Sequence, residues 1–77
     1  MNLELYYFDG CPFCEKVFRY MERKGVEVET RNIYEDHEAY RTLRRVGGKI
    51  QVPCLMIDGR AMYESEDIIT WMERNLT

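Results

Sequence analysis

Asp9-Gly10-Cys11-Pro12-Phe13-Cys14 stands between an apolar stretch and an amphipathic one, and how it is read decides the fold. Before it, Leu3 to Phe8 is apolar and aromatic apart from Glu4, the composition of a buried strand that ends at Asp9-Gly10. After it, Pro12 suits the first turn of a helix, where its missing N–H costs nothing. Val17, Phe18 and Met21 then recur at helical spacing, with Glu15, Lys16, Arg19, Glu22 and Arg23 mostly on the other side. Gly25 stops that helix, with Lys24 beside it. A Cys-x-x-Cys alone is weak evidence of anything, but this one joins a strand to a helix. That context places Cys11 at a helix N-terminus and Cys14 one turn deeper and less exposed.

Farther out, Val26 to Thr30 alternates and is β-prone, which predicts a second strand. Glu35 to Arg45 carries Ala39, Tyr40 and Leu43 on one side, continues through Val46 and ends at Gly47-Gly48, which predicts a second helix. Val52 to Ile57 reads as a strand interrupted near its start by Pro53. Asp58-Gly59 is a hairpin turn, and Arg60 to Tyr63 is its returning strand. Ser65 is the expected N-cap of a last helix whose apolar face is Ile68, Ile69, Met72 and Leu76. The order is β-α-β-α-β-β-α, an α/β domain. Its first strand, crossover helix and second strand suggest a parallel pair, and the hairpin adds antiparallel strands.

The chain of 77 residues allows one compact domain, residues 1–77, with a thin core. Hydrophobic residues make up 45% of it, which argues against disorder. A net charge of -3 gives no general attraction to nucleic acid or to anionic membranes, so neither is an expected partner. Met1-Asn2-Leu3-Glu4-Leu5 lacks the basic region and long apolar stretch of a secretion signal, and no apolar run approaches the roughly 20 residues of a membrane helix. A cytoplasmic location is the expectation. Three cysteines are too few for a disulfide scaffold, and in a reducing compartment they more often carry chemistry.

A free thiol with a pKa of about 8.5 is only about 3% thiolate at neutral pH. The unpaired N–H groups and dipole of a helix N-terminus favour the anion. Lowering such a pKa to about 5 raises the thiolate fraction roughly thirtyfold, while intrinsic nucleophilicity falls by a similar factor. The same sulfur becomes a much better leaving group. The position of Cys11 therefore suits a cysteine that both forms a mixed disulfide and is released from it, with Cys14 placed to resolve it. Two other readings compete: an inert buried pair, or a zinc site drawing on Cys11, Cys14, Cys54 and His37. Structural zinc sites usually take ligands as two close pairs, and only one pair is present, so no metal is expected.

These residues resemble the glutaredoxins, and the second half resembles the thioredoxin-fold domain that opens glutathione transferases. The likeness covers nearly the whole chain. It rests on Cys11-Pro12-Phe13-Cys14 after a first strand, Gln51-Val52-Pro53 before a third, and Glu64-Ser65-Glu66-Asp67 before the last helix. The resemblance implies a thioredoxin-like fold, a four-stranded mixed sheet flanked by three helices, with a cis Val52–Pro53 peptide. An edge-strand proline is the competing explanation of Pro53. A cis bond would leave the backbone of Val52 exposed beside Cys11, ready to pair with an extended tripeptide as in β-augmentation.

By the same resemblance, Ser65 and Glu66 offer helix-terminal N–H groups, with the Ser65 hydroxyl, to the γ-glutamyl carboxylate of glutathione. Glu64, Glu66 or Asp67 takes its ammonium, and Lys49 pairs with its glycyl carboxylate. A capping serine followed by acids that complement a helix dipole explains the same letters, and solvation explains Lys49 equally well. Phe13 keeps an aromatic wall but lacks the hydroxyl of the tyrosine found there in many glutaredoxins. Phe8 stands where many carry lysine, and Asp9 opposes thiolate formation nearby. Cys54 is expected as a small buried hydrophobe on the third strand, with a third redox thiol as the alternative. His37 is expected at the surface.

The function implied is that of a dithiol glutaredoxin. Cys11 attacks protein disulfides or protein–glutathione mixed disulfides, Cys14 resolves, glutathione is co-substrate, and the protein works as a monomer. The alternatives are a redoxin recharged by thioredoxin reductase that donates electrons to ribonucleotide reductase, and a non-catalytic glutathione- or metal-binding module.

Overall fold

The computed structural model describes residues 1–77. Strand β1 (Leu3–Tyr7) lies inside a mixed sheet of order β2-β1-β3-β4. It runs parallel to β2 (Glu29–Asn32) and antiparallel to β3 (Cys54–Ile57), which forms a hairpin with β4 (Arg60–Tyr63). Helices α1 (Pro12–Lys24), α2 (His37–Thr42) and α3 (Ser65–Leu76) complete the thioredoxin-like order β-α-β-α-β-β-α.

Alternation along the central strands divides the core. Leu5 and Leu55, register partners, face one side and bury against Val17 and Met21 of α1 and Ile68 and Met72 of α3. Tyr6 and Cys54, the next pair, face the other side with Met56, Ile33, Ala39 and Leu43. A sheet covered on both faces needs apolar residues at successive positions, which is why Leu3 to Phe8 reads as a nearly unbroken apolar run.

Several boundaries differ from the expected ones. Strand β1 stops at Tyr7 and β3 starts at Cys54, each shorter than its apolar stretch. The second strand is Glu29–Asn32, not 26–30. Gly25 adopts a left-handed conformation and Val26 N–H donates to the Met21 carbonyl at 2.9 Å, so Val26 closes helix α1 and enters the core before the strand begins. Arg31 then anchors the polar strand, donating to Glu4 at 3.1 Å and to Asp36 at 2.8 and 3.0 Å. Asp36 caps α2 by accepting from Glu38 N–H and Ala39 N–H. The Ala39 bond first and Arg31 second hold its carboxyl below the usual carboxylate range.

The second helix is not continuous over 35–45. It is α-helical only over His37–Thr42 and widens into a π-helical turn, Leu43–Gly47. Gly47 sits against Tyr63 so closely that a Cβ there would collide with the Tyr63 hydroxyl. That hydroxyl donates to the Lys49 carbonyl at 3.1 Å, tying the end of the π-helical turn to the end of β4. No helix is long and apolar enough to cross a membrane.

Candidate active site

Cys11 is the N-cap of α1, with an extended backbone (φ −96°, ψ 110°) and Pro12 in the first helical position. Its Sγ accepts a hydrogen bond from Cys14 N–H at 3.2 Å, so an otherwise unpaired helix N–H points at the sulfur. The Cys11 carbonyl accepts from Glu15 N–H at 3.0 Å and starts the helix ladder. Cys14 is fully buried. Burial first, and then its hydrogen bond with Cys11, hold the Cys14 thiol well above its ordinary pKa. Its surroundings favour the protonated thiol.

Sγ of Cys11 also lies 4.0 Å from the Val52 carbonyl oxygen, across the cis Val52–Pro53 peptide. No other backbone group uses the N–H or C=O of Val52. Cys11 is only 5% exposed, more enclosed than a helix N-terminus suggests, with the Val52 carbonyl beside its sulfur.

A groove of about 450 Å³ opens there. Phe13, 63% exposed, forms one wall, and Val52 and Pro53 form the floor. Glu64, Ser65 and Glu66 line the α3 side. Ser65 is not the N-cap. It is the first helical residue, 7% exposed, and Glu64 occupies the cap position with φ 74° and no side-chain capping bond. A positive φ is uncommon for glutamate and is held only when its surroundings fix it. Here Glu64 turns the chain from β4 into α3, its carbonyl accepts from Ile68 N–H at 3.0 Å, and its carboxylate accepts from Gln51 at 3.3 Å.

Six of the nine residues expected at the site thus share one groove; the sulfur of Cys11 lies 4.0 Å from the carbonyl oxygen of its Val52, and Cys14 is buried behind Cys11. Lys49 does not line it. Its ammonium sits 4.5 Å from the centre of the Tyr63 ring, a cation–π contact. The cation that does line the groove is Lys16, paired with Glu66 across α1 and α3. Sequence reasoning placed Lys16 on the solvated face of its helix. The only available signal was its position two residues after Cys14, which keeps it near the helix end that carries the sulfur.

Cys54 and His37 do not join the pair, and no three His, Cys, Asp or Glu side chains are grouped to hold a metal ion. Cys54 is fully buried on the opposite face of the sheet, where burial pushes its thiol up to about 11. His37 is exposed at the start of α2. Phe8 stacks on Tyr34 at 5.2 Å, so the position that carries lysine in many glutaredoxins is here part of an aromatic pair.

Residues 5–76 match the family model described as the N-terminal domain of glutathione S-transferase. A probable glutaredoxin of Synechocystis is 34% identical over 68 residues, covering 87% of this chain and 77% of that protein. Glutaredoxin 2 of Escherichia coli K12 is 37% identical over 73 residues, covering 94% of this chain but only 33% of that one. Among solved structures, the glutaredoxin-like NrdH-redoxin of Escherichia coli superposes with a TM-score of 0.77 at 26% identity, covering 94% of this chain and 95% of that one.

Proposed function

This chain belongs to the glutaredoxin family and matches the family model of the glutathione S-transferase N-terminal domain, and on that premise we propose that it is a glutathione-dependent thiol–disulfide oxidoreductase. The observation that carries the proposal is the setting of Cys11: a helix-capping sulfur that receives the Cys14 N–H at 3.2 Å and lies beside a groove with an unused backbone edge at Val52.

The cycle starts when the Cys11 thiolate attacks one sulfur of a substrate disulfide. A Cys11–substrate disulfide forms, and the other substrate sulfur leaves as a thiolate that takes up a proton. Cys14, deprotonated as it attacks, then displaces the substrate thiol and closes a Cys11–Cys14 disulfide. A first glutathione thiolate opens that bond at Cys11 and returns Cys14 to its thiol. A second releases Cys11 and leaves as oxidised glutathione. With a glutathionylated protein, Cys11 takes the glutathione directly and Cys14 is dispensable. Helix-terminal N–H groups assist every step in which the Cys11 sulfur carries or releases charge.

The enclosure of Cys11 bears on the substrate. A sulfur 5% exposed beside the Val52 carbonyl is reached by an extended strand laid along Val52, not by a broad convex surface. Glutathione fits that description, as does a disulfide on a protein loop. Such a cycle belongs to a reducing compartment such as the cytoplasm.

Replacing Cys11 by serine is expected to lower reduction of a glutathionylated protein by about a thousandfold or more, the scale of losing a nucleophile. Replacing Cys14 by serine should preserve that reaction while abolishing reduction of protein disulfides by the dithiol route. Activity surviving in Cys11→Ser would overturn the scheme.

A second reading, a redoxin recharged by thioredoxin reductase and donating electrons to ribonucleotide reductase, draws support from Phe8 in the usual lysine position and from Lys49 lying off the groove. The similar Escherichia coli protein is described as having a thioredoxin-like activity profile. Supplying glutathione with glutathione reductase, or thioredoxin reductase alone, to the oxidised protein separates the two.

A further inference from the structure

From Ala39 to Ile57 the chain carries four cations, Arg41, Arg44, Arg45 and Lys49, and no acid. All fourteen of its acids lie outside that stretch, so a molecule of net charge -3 holds one strongly basic segment. The four residues are exposed. None of them meets a carboxylate, since the salt bridges of the molecule are made by Lys16 and Arg31. The contact of Lys49 with the Tyr63 ring leaves its charge in place. A solvated face ordinarily mixes both signs along its length. This one does not.

The fold brings the segment to the reactive end of the sheet. Strand β3 begins at Cys54, opposite Tyr6 near the end of β1 and Tyr63 at the end of β4. Gly47 abuts the Tyr63 hydroxyl, which donates to the Lys49 carbonyl at 3.1 Å. Residues 47–53 are thereby held at the end where β1 hands over to Cys11, and the Val52 carbonyl lies 4.0 Å from the sulfur. The backbone groups of Ile50, Gln51 and Val52 make no main-chain hydrogen bond. A short open edge thus leads from beside the sulfur back to the basic segment.

We propose that the segment from Arg41 to Lys49 is a docking surface for an acidic stretch of the substrate protein, one that follows the reacting cysteine in that protein's sequence. The inference rests on the thiol–disulfide reading of Cys11 and holds whichever reductant recharges the protein.

Strand geometry sets the polarity. A single substrate residue takes both the N–H and the C=O of Val52 only in an antiparallel pair. With the reacting cysteine set there, the residues after it run against Gln51, Ile50 and Lys49. At about 3.4 Å each, the third of them reaches Lys49, about 10 Å along. The next few continue towards the π-helical turn that carries Arg44 and Arg45. The residues before the cysteine run towards Pro53 and the α3 side of the groove, where Glu64 and Glu66 disfavour acids. An acidic partner is repelled by most of this molecule and attracted by one face, so its approach is oriented before contact. A long polyanion such as nucleic acid overruns that face and meets the acids beyond it, whereas a short acidic segment does not.

The test follows a single turnover of the fully reduced protein, which needs no reductase. Each probe is a peptide whose one cysteine forms a mixed disulfide with thionitrobenzoate. Cys11 attacks the peptide sulfur and thionitrobenzoate, the better leaving thiolate, departs and is read by its absorbance. Cys14 then displaces the peptide thiol, leaving the protein with a Cys11–Cys14 disulfide. Three peptides carry a run of aspartates after the cysteine, the same run before it, or asparagines in both places. At about 0.02 M salt the first should react about tenfold faster than the asparagine peptide, and the second within about twofold of it. Raising the salt to about 0.5 M should shrink the advantage to about twofold. Arg44→Glu joined to Arg45→Glu should abolish the advantage and leave the rate of the asparagine peptide unchanged. Arg60→Glu joined to Arg74→Glu makes the same change of net charge at the start of β4 and the end of α3, and should keep at least about half of the advantage.

Equal acceleration by aspartates on either side of the cysteine overturns the inference. So does an equal loss in the two double variants, because net charge alone then accounts for the effect. Binding of a single-stranded oligonucleotide at about 0.15 M salt, lost with Arg44→Glu and Arg45→Glu, would assign the surface to nucleic acid instead. Thionitrobenzoate release that persists unchanged in Cys11→Ser overturns the thiol–disulfide reading and this inference together.

Discussion

Cys11 and Cys54 flank the same turn, 52–53, and are almost equally enclosed, at 5% and 0% exposure, yet their surroundings are opposed. Cys11 caps a helix and receives its N–H. Cys54 sits in the sheet, paired in register with Tyr6 and Tyr63, and packs among Ile33, Leu43 and Met56. It is not without donors, since the Met62 backbone and the Tyr63 hydroxyl both favour its anion, but burial outweighs them and its pKa rises to about 11. The same burial, and then Cys54 itself, raises Tyr63, while burial followed by the Glu4 carboxylate pushes Tyr6 up to about 12. The two tyrosines that flank Cys54 in the sheet are thus shifted with it towards their neutral forms. Enclosure alone therefore does not decide what a thiol does. The difference lies in whether a helix terminus or an apolar layer meets the sulfur.

The sharpest test of this contrast is alkylation. A thiol with a pKa of about 11 is only about 0.1% thiolate at pH 8, and Cys54 is shielded besides. Iodoacetamide at pH 8, followed by peptide mapping, should modify Cys11 at least about 100-fold faster than Cys54. Rates within tenfold of each other would erase the distinction between the two faces.

The Cys54 face can be disturbed separately. Gly47→Ala drives a methyl into the Tyr63 hydroxyl and should cost about 2–3 kcal/mol of stability in urea denaturation. Adding Tyr63→Phe removes the colliding oxygen and should restore part of the loss, and the alkylation rate of Cys11 should stay as it was. A Cys11 rate that falls with Gly47→Ala would show that the two faces are coupled.

The mildest effect is in alkaline pH. Unfolded thiols release their protons from about pH 9, whereas Cys54 holds its own until about 11 and Cys14 is shifted in the same direction. Above pH 9 the unfolded chain binds fewer protons than the folded one, so the reduced protein loses stability as pH rises. Each thiol contributes up to about 1.4 kcal/mol per pH unit. Between pH 9 and 10 the slope should roughly halve in Cys54→Ala. An unchanged slope would mean that Cys54 does not titrate as its burial requires.

Local signals made much of this molecule legible. Pro12 and Gly25 bracket α1, Asp58-Gly59 makes the hairpin, and the two cysteines fall where strand passes to helix. What the sequence did not disclose depends on distant partners. Val26 is β-prone by composition but closes a helix, a use that follows from Gly25 being left-handed. The π-helical turn answers to Tyr63, some sixteen residues past Gly47. Lys16 and Lys49 are both plausible surface lysines, and only the approach of α3 to α1, and of β4 to the Gly47 turn, assigns one to the groove and the other to an aromatic ring. At Ser65 the capping pattern was sound in composition but displaced by one residue, because Glu64 takes the strained corner.

Strand β2 has its own consequence. Glu29-Thr30-Arg31-Asn32 lies at an open margin of the sheet, where unpaired backbone groups invite a strand from another molecule. Charged side chains there, with Arg31 clamped between Glu4 and Asp36, make such an addition unfavourable. Four residues that contribute little to the core thus guard the protein against growing edge to edge into aggregates.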